Sequence, residues 1–463
     1  MVNVAIIGAY LVGMLIIGFV SFGKIRNIAS FYVGDRAGTT VLVSGSLLAT
    51  IVGGSSTLGI AGLGFSRGLV GAWWMLVGAL GLLVLSFWFS EKVRSYEVYT
   101  LPEILKSQYG SDVIKVIASL LISLAWIGVI AAQVIAGGKI LTTLWPIDLE
   151  ISMVLIATVC VLYTVLGGQY SILKTDFIQF IIIISGIIIC LASSVVNTGG
   201  VPIMMEKLPH GHASFPVSET FRVHDLLLFC LFVGSTFIVG PDIYSRLFCA
   251  QTPRIARRAS LITAFIMIPL AFAVTLIGMA ARVLLPEILP ESAFPALIMH
   301  LLPVGLNALV IAALLAAVMS SADTCLLTTS TILMADVLQP VFRDGIQEKK
   351  LILLSRTGVL VIGVISLVIA LKAGGIISSL LLAYTIYSGG LVVPVIFGFY
   401  ARPLRLHHVG AILSVISGGC LALFLKLTSH DDLLLLCFPV GAVVLLAGSV
   451  FGRYIDKRES TSP

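Results

Sequence analysis

Long apolar stretches separated by short polar ones run from one end of the chain to the other. Stretches such as 4–22, 175–197 and 351–371 carry few or no charges. Many exceed the roughly 18 apolar residues that read as a membrane-spanning helix. A helix satisfies its own backbone hydrogen bonds and so can sit in lipid. The pattern predicts an all-α integral membrane protein with about thirteen transmembrane helices, near 4–22, 40–65, 69–90, 113–144, 150–166, 175–197, 224–247, 258–281, 304–338, 351–371, 375–400, 406–427 and 431–451.

Two of these spans interrupt themselves. One reads ATIVGGSSTLG (49–59), with two glycines and two serines in tandem, and the other FVGSTFIVGPD (232–242). Glycine weakens a helix and proline breaks it. Irregular backbone at membrane depth is tolerated only where protein or a water-filled cavity supports it, and a pair of broken spans at matching places in two halves points to a transporter site. Each broken span opens a set of five, and the third span of each set, 113–144 and 304–338, is unusually long. This layout predicts an inverted repeat within a single domain of residues 1–463: a first repeat over 39–197, a second over 222–400, and flanking helices and tail at 1–38 and 401–463. Glycines that merely allow close helix packing are the competing explanation.

Composition agrees with the pattern. Of 463 residues 59% are hydrophobic and 11% charged, with a mean hydropathy of +1.11, against about 25% charged residues in soluble domains. The net charge of +6 reflects basic loops rather than a nucleic-acid partner. If the N-terminus lies outside, twenty-one Lys and Arg fall on the cytoplasmic side, among them Arg246, Arg254, Arg343 and Arg453, and seven on the other; the positive-inside rule then puts the C-terminus in the cytoplasm of a cell membrane. Only Met1-Val2-Asn3 precedes the first apolar run, which reads as a retained span rather than a cleaved leader. Seven scattered cysteines without a Cys-x-x-Cys pair read as packed small residues.

Inside the span 304–338 the segment AAVMSSADTCLL (316–327) sets Ser320, Ser321, Asp323 and Thr324 among Ala, Leu, Val and Met. Ala317, Ser320 and Ser321 share one helix face by their i, i+3, i+4 spacing. Two hydroxyls and a carbonyl are neutral oxygens, suited to a monovalent cation held weakly enough to leave; a divalent ion would demand carboxylates, and transition metals His or Cys. Freed carbonyls of the break near Ala49–Ser56 can complete such a set. Serines bonding back to their own helix are the plainer alternative. Asp176 and Asp323 cost about 2.5–3.5 kcal/mol each at a bilayer centre, so buried acids of this kind pair or mark an ion path. Asp176 alternatively sits at a helix start, stabilised by the dipole.

With these residues in view, the chain resembles the sodium:solute symporter family over almost its whole length. SFYVGDR (30–36) resembles the short motif after that family's first helix, SLLATIVGGSSTLGIAGLGF (46–65) its first broken helix, YTVLGGQYSILKTDFIQ (163–179) its Tyr-Thr-x-x-Gly-Gly…Thr-Asp-x-x-Gln signature, and AAVMSSADTCLL its ion-site helix. The resemblance implies a LeuT-type inverted repeat and a sodium site made of the carbonyls of Ala49, Val52 and Ala317 and the hydroxyls of Ser320 and Ser321. Asp176, Asp323 and Thr324 fall where members have a second sodium site or an exit path. Solute contacts are expected from Gly53, Ser56, Trp74, Met75, Gln133, Ser235 and Thr236. Met75 stands where the galactose transporter has a Glu, and Ile51 where the proline transporter has an Asp, which disfavours a sugar and leaves proline unsupported.

The expected function is sodium-coupled import of a small organic solute, an amino acid or small carboxylate, by alternating access, with no catalytic residue, no bound cofactor beyond the co-transported sodium, and partners limited to solute, sodium and the lipid bilayer, the chain acting as a monomer. A non-transporting membrane receptor of the same fold is the alternative.

Overall fold

The structure is a computed structural model that describes residues 2–145, 147–342, 347–372 and 375–459, apart from the side chains of residues 379 and 459. Arg343 and the last four residues of the tail lie outside the described residues. Eleven of the described helices are long and apolar enough to cross a membrane. With the shorter apolar helix Thr40–Ile51 they are α1 (Val2–Phe22), α2 (Thr40–Ile51), α3 (Ser55–Ser95), α4 (Asp112–Leu144), α5 (Leu149–Thr198), α6 (Val223–Cys249), α7 (Pro253–Leu284), α8 (Leu306–Val341), α9 (Glu348–Lys372), α10 (Ile376–Gly398), α11 (His408–Leu427) and α12 (Asp431–Arg458).

The count differs from thirteen because α3 and α5 each run through the place where two expected spans meet. A straight helix of 50 residues, the length of α5, would be about 75 Å long, against a hydrocarbon core of about 30 Å. The helix is not straight: Gly168 sits inside it with φ 52° and ψ −166°, a conformation open to glycine and strained for other residues. Phe31 of SFYVGDR packs against this kink, where a Cβ on Gly168 would collide with its ring. In α3 the corresponding point is Gly68, with φ 75° and ψ −145°.

At the centre stands α8, almost wholly buried, while α1 and α12 expose most of their surface. The small residues of Ala312–Ala317 allow α5, α4 and α2 to approach α8 closely. The polar residues from Ser320 to Thr324 on α8, all buried, meet α2, α5 and α6.

Candidate functional site

The first break lies between α2 and α3. Val52 N–H is the last to reach back one turn, to Leu48 O at 2.9 Å, and the pattern resumes with Thr57 N–H on Gly53 O at 3.0 Å. Between them Val52 turns out of helical geometry, with φ −81° and ψ 58°. The freed groups find other partners. Gly54 N–H donates to Gln133 Oε1 of α4 at 2.8 Å. The Thr50 carbonyl accepts the Ser321 hydroxyl of α8, and the Ile51 carbonyl accepts the Ser56 hydroxyl at 2.7 Å. Among the described residues no hydrogen bond across the break reaches the carbonyls of Ala49 or Val52. Gly53 is required because a Cβ there would overlap Ser321 Oγ.

On α8 the two serines do not bond back to their own helix. Ser320 Oγ donates to Asp176 Oδ1 at 2.5 Å, and Ser321 Oγ crosses to the break. Thr324 is the one that folds back, donating to Ser320 O at 2.7 Å. Asp176 is not in the first turn of a helix: it lies eight residues past the Gly168 kink, inside α5, fully buried. Its carboxylate also accepts from Ser46 Oγ. The dipole role weighed for it is thus replaced by direct hydrogen bonding.

The largest departure from expectation is Arg246. Its position after the second break reads as a cytoplasmic loop charge, yet its side chain is fully buried in α6 and paired with Asp176 at 2.9 Å. Nε donates to Ser46 Oγ at 2.8 Å, and Nη2 reaches Thr50 Oγ1 at 3.2 Å and Thr324 Oγ1. A charge buried this deeply requires a partner, and the partner lies on another helix. Asp323 is held separately by the Tyr163 hydroxyl at 2.6 Å, which also contacts Met319 O at 3.0 Å. The Tyr-Thr-x-x-Gly-Gly…Thr-Asp segment now has a physical role. Its kink at Gly168 lets one helix deliver Tyr163 to Asp323 on one side and Asp176 to Ser320 and Arg246 on the other.

A cavity of about 40 Å³ opens beside this cluster. Of the residues expected to contact solute, Ser56, Trp74, Gln133 and Thr236 line it. Gly53, Met75 and Ser235 do not: Gly53 faces Ser321, Met75 is packed in the core next to Trp74, and Ser235 bonds to Leu231 O and to Ser388 Oγ at 3.3 Å. Residues not anticipated line it instead, among them Trp126, Phe237, Asp242 and Tyr384. Trp74 meets Phe229 edge-on at 5.6 Å and Tyr384 at 6.5 Å between ring centroids. The second break forms the opposite wall. Gly240 takes an extended conformation, φ −62° and ψ 129°, before Pro241 restarts the helix, and the Val239 carbonyl accepts the Tyr387 hydroxyl at 2.5 Å. Thr50 and Ser321 belong both to the polar cluster and to the cavity wall.

The sodium:solute symporter family model matches residues 31–418. The chain belongs to that family. Its members are transporters rather than enzymes, and sodium is their co-transported ion. This symporter is similar to the high-affinity proline transporter PutP of Bacillus subtilis (strain 168), with 24% identity over 94% of this chain and 94% of that protein. It is also similar to sodium/glucose cotransporter 4 of Danio rerio, with 26% identity over 79% of this chain and 62% of that protein. The symporter thus spans less than two thirds of the length of that vertebrate relative. In three dimensions it resembles a Na+-coupled sialic acid symporter in a substrate-bound outward-open state, with a TM-score of 0.81, 18% identity and 97% of both chains covered. It also resembles Mhp1, a nucleobase-cation-symport-1 family transporter, in a closed conformation, with a TM-score of 0.67 and 14% identity. At these identities the structural likeness speaks for the fold.

Proposed function

We propose that the chain imports a small organic solute, an amino acid or small carboxylate, by sodium-coupled alternating access. The sodium ion is bound by the carbonyls of Ala49, Val52 and Ala317 and the hydroxyls of Ser320 and Ser321. The observation that carries this reading is the pairing at the first break: the Thr50 and Ile51 carbonyls are taken by Ser321 and Ser56, while those of Ala49 and Val52 stay unbonded from across the break. Ala317 lies in a continuous helix, but a carbonyl keeps a second lone pair for a ligand. All five groups are neutral, which suits a monovalent ion that must also leave.

Asp176, Asp323, Thr324 and Arg246 form the charged neighbourhood of that ion. Two acids and one guanidinium leave one net negative charge when both acids are ionised, which one sodium cancels. We read the coupling as one sodium per solute, with Arg246 standing where a second ion would otherwise be needed. The solute occupies the cavity between the two breaks, walled by Trp74 and oriented by Gln133. The chain folds as two inverted repeats, 39–197 and 222–400, with Gly68 and Gly168 marking where α3 and α5 each divide into two crossings. The N-terminus faces outside and the C-terminus the cytoplasm, since withdrawing Arg246 from the loops leaves their charge asymmetry intact. One chain carries the whole site, so the working unit is a monomer.

The test is uptake into proteoliposomes of a screened solute set, in sodium against potassium at equal ionic strength. Uptake that requires sodium and loses sodium affinity in Ser320→Ala and Ser321→Ala supports the reading. Equal uptake in both salts overturns it.

A further inference from the structure

We infer that the transported solute carries a cationic nitrogen together with a hydrogen-bond acceptor, and that Asp242 binds the nitrogen; this rests on the reading of the central cavity as the solute site. Asp242 is the second residue of the helix that restarts after Gly240, and it lines the cavity. Its neighbours Pro241 and Ile243 are buried, whereas Asp242 itself keeps accessible surface. Among the described residues no Lys, Arg or His lines the cavity, and no basic side chain forms an ion pair with Asp242. Arg246, one turn along the same helix, is committed to Asp176, Ser46 and Thr324. A carboxylate at membrane depth is costly without a counter-charge. Here the backbone N–H groups of the first turn and, at longer range, Arg246 face the carboxylate, but no basic side chain pairs with it, and a cationic solute completes the set.

The remaining walls agree with that chemistry. Trp74, Trp126, Phe237 and Tyr384 surround the cavity, and aromatic faces attract a cationic nitrogen through the ring quadrupole. Trp126 adds a second, independent sign. It is almost fully buried, and among the described residues its indole Nε1–H meets no oxygen or nitrogen acceptor, only the Cys325 thiol, a weak one. An indole nitrogen only donates, so this group calls for an acceptor on the solute. A zwitterion offers both features. A simple carboxylate lacks the nitrogen, and a polyol lacks the charge. The closed cavity offers about 40 Å³ to water-sized groups, so entry of an organic solute parts the walls. The competing role for Asp242 is to stabilise the start of its own helix. Asp242→Asn removes the charge but keeps a side-chain oxygen that accepts from first-turn N–H groups, and the selective loss of the nitrogen preference, read on ligand pairs, separates solute binding from a helix-start role.

The experiment is thermal stabilisation of the purified full-length chain by matched pairs of solutes that differ only in the nitrogen: amino acids against their 2-hydroxy acids, and amines against the corresponding alcohols. Each pair is run in sodium and in potassium, on the parent and on Asp242→Asn. We expect at least one nitrogen-bearing solute to stabilise the parent at a concentration about tenfold or more below that of its partner. Asp242→Asn should lose that preference, Asp242→Glu should regain part of it, and stabilisation by sodium alone should stay as in the parent. Equal response to both members of every pair, a preference that survives in Asp242→Asn, or no stabilisation by any nitrogen-bearing solute overturns the inference. Failure of sodium coupling would show differently: sodium would not alter the response of the parent, while the pairs still report the nitrogen preference in potassium.

Discussion

Replacing Arg246 with Gln removes the positive charge that faces Asp176 and leaves that carboxylate buried with only neutral donors. Breaking one partner of a buried ion pair costs about 3–5 kcal/mol. The variant should lose about that much stability in potassium. In sodium the outcome should differ, because the cluster now has room and charge for a second ion. An added sodium at about 100 times its dissociation constant returns about 2.7 kcal/mol, so the variant should recover roughly half its loss or more. The assay is equilibrium unfolding in detergent at matched ionic strength, with sodium and potassium compared for parent and variant. The difference between the two salts should be larger in Arg246→Gln than in the parent by about 2–3 kcal/mol. Adding Asp176→Asn to the same chain should recover most of the loss in potassium, since both charges are then gone. A variant as stable as the parent in potassium, or a salt difference equal to that of the parent, would refute the view that Arg246 is the fixed cation of this cluster.

Gly53→Ala should abolish sodium-dependent uptake while Gly8→Ala leaves it intact, because a Cβ at Gly53 overlaps Ser321 Oγ whereas nothing lies within 4 Å of one at Gly8; initial rates in proteoliposomes check both. Trp74→Ala should weaken solute binding by tenfold or more and shift sodium binding only by the linked factor, since coupling between two ligands is reciprocal; titrating each ligand with and without the other measures it. Tyr163→Phe removes a hydrogen bond to a carboxyl group, worth about 1.5–3 kcal/mol when that group is charged. It should lower the unfolding free energy by about that amount; no change would mean that Asp323 does not depend on Tyr163.

What the sequence made legible was the part encoded locally. Gly53-Gly54 and Gly240-Pro241 announce breaks because glycine and proline act on their own stretch of backbone. The run from Ser320 to Thr324 stands out because hydroxyls and an acid are expensive in an apolar helix wherever they point. Arg246 was missed for the opposite reason. Its burial depends on Asp176, seventy positions away in the chain, and a basic residue just after a Gly-Pro break and before Arg254 reads as a loop. Asp242 was hidden in the same way, since its lack of a counter-ion is a property of the cavity and not of its neighbours in sequence. Met75 does not line the cavity although it stands beside Trp74, because successive helix positions point about 100° apart and of the two only Trp74 reaches it. Gly168 was visible as half of a glycine pair, but its left-handed conformation is set by the packing of Phe31 and by the path of the chain.

The claim on which everything else rests is that one sodium ion binds where the first break meets α8. It is tested most directly by equilibrium binding of radioactive sodium to the purified chain, compared with Ser320→Ala and Ser321→Ala. The account predicts saturable binding that approaches one ion per chain in the parent, and dissociation constants raised by about tenfold or more when either hydroxyl is removed, the equivalent of about 1.4 kcal/mol. Binding that is absent from the parent, or unchanged in both variants, would contradict it.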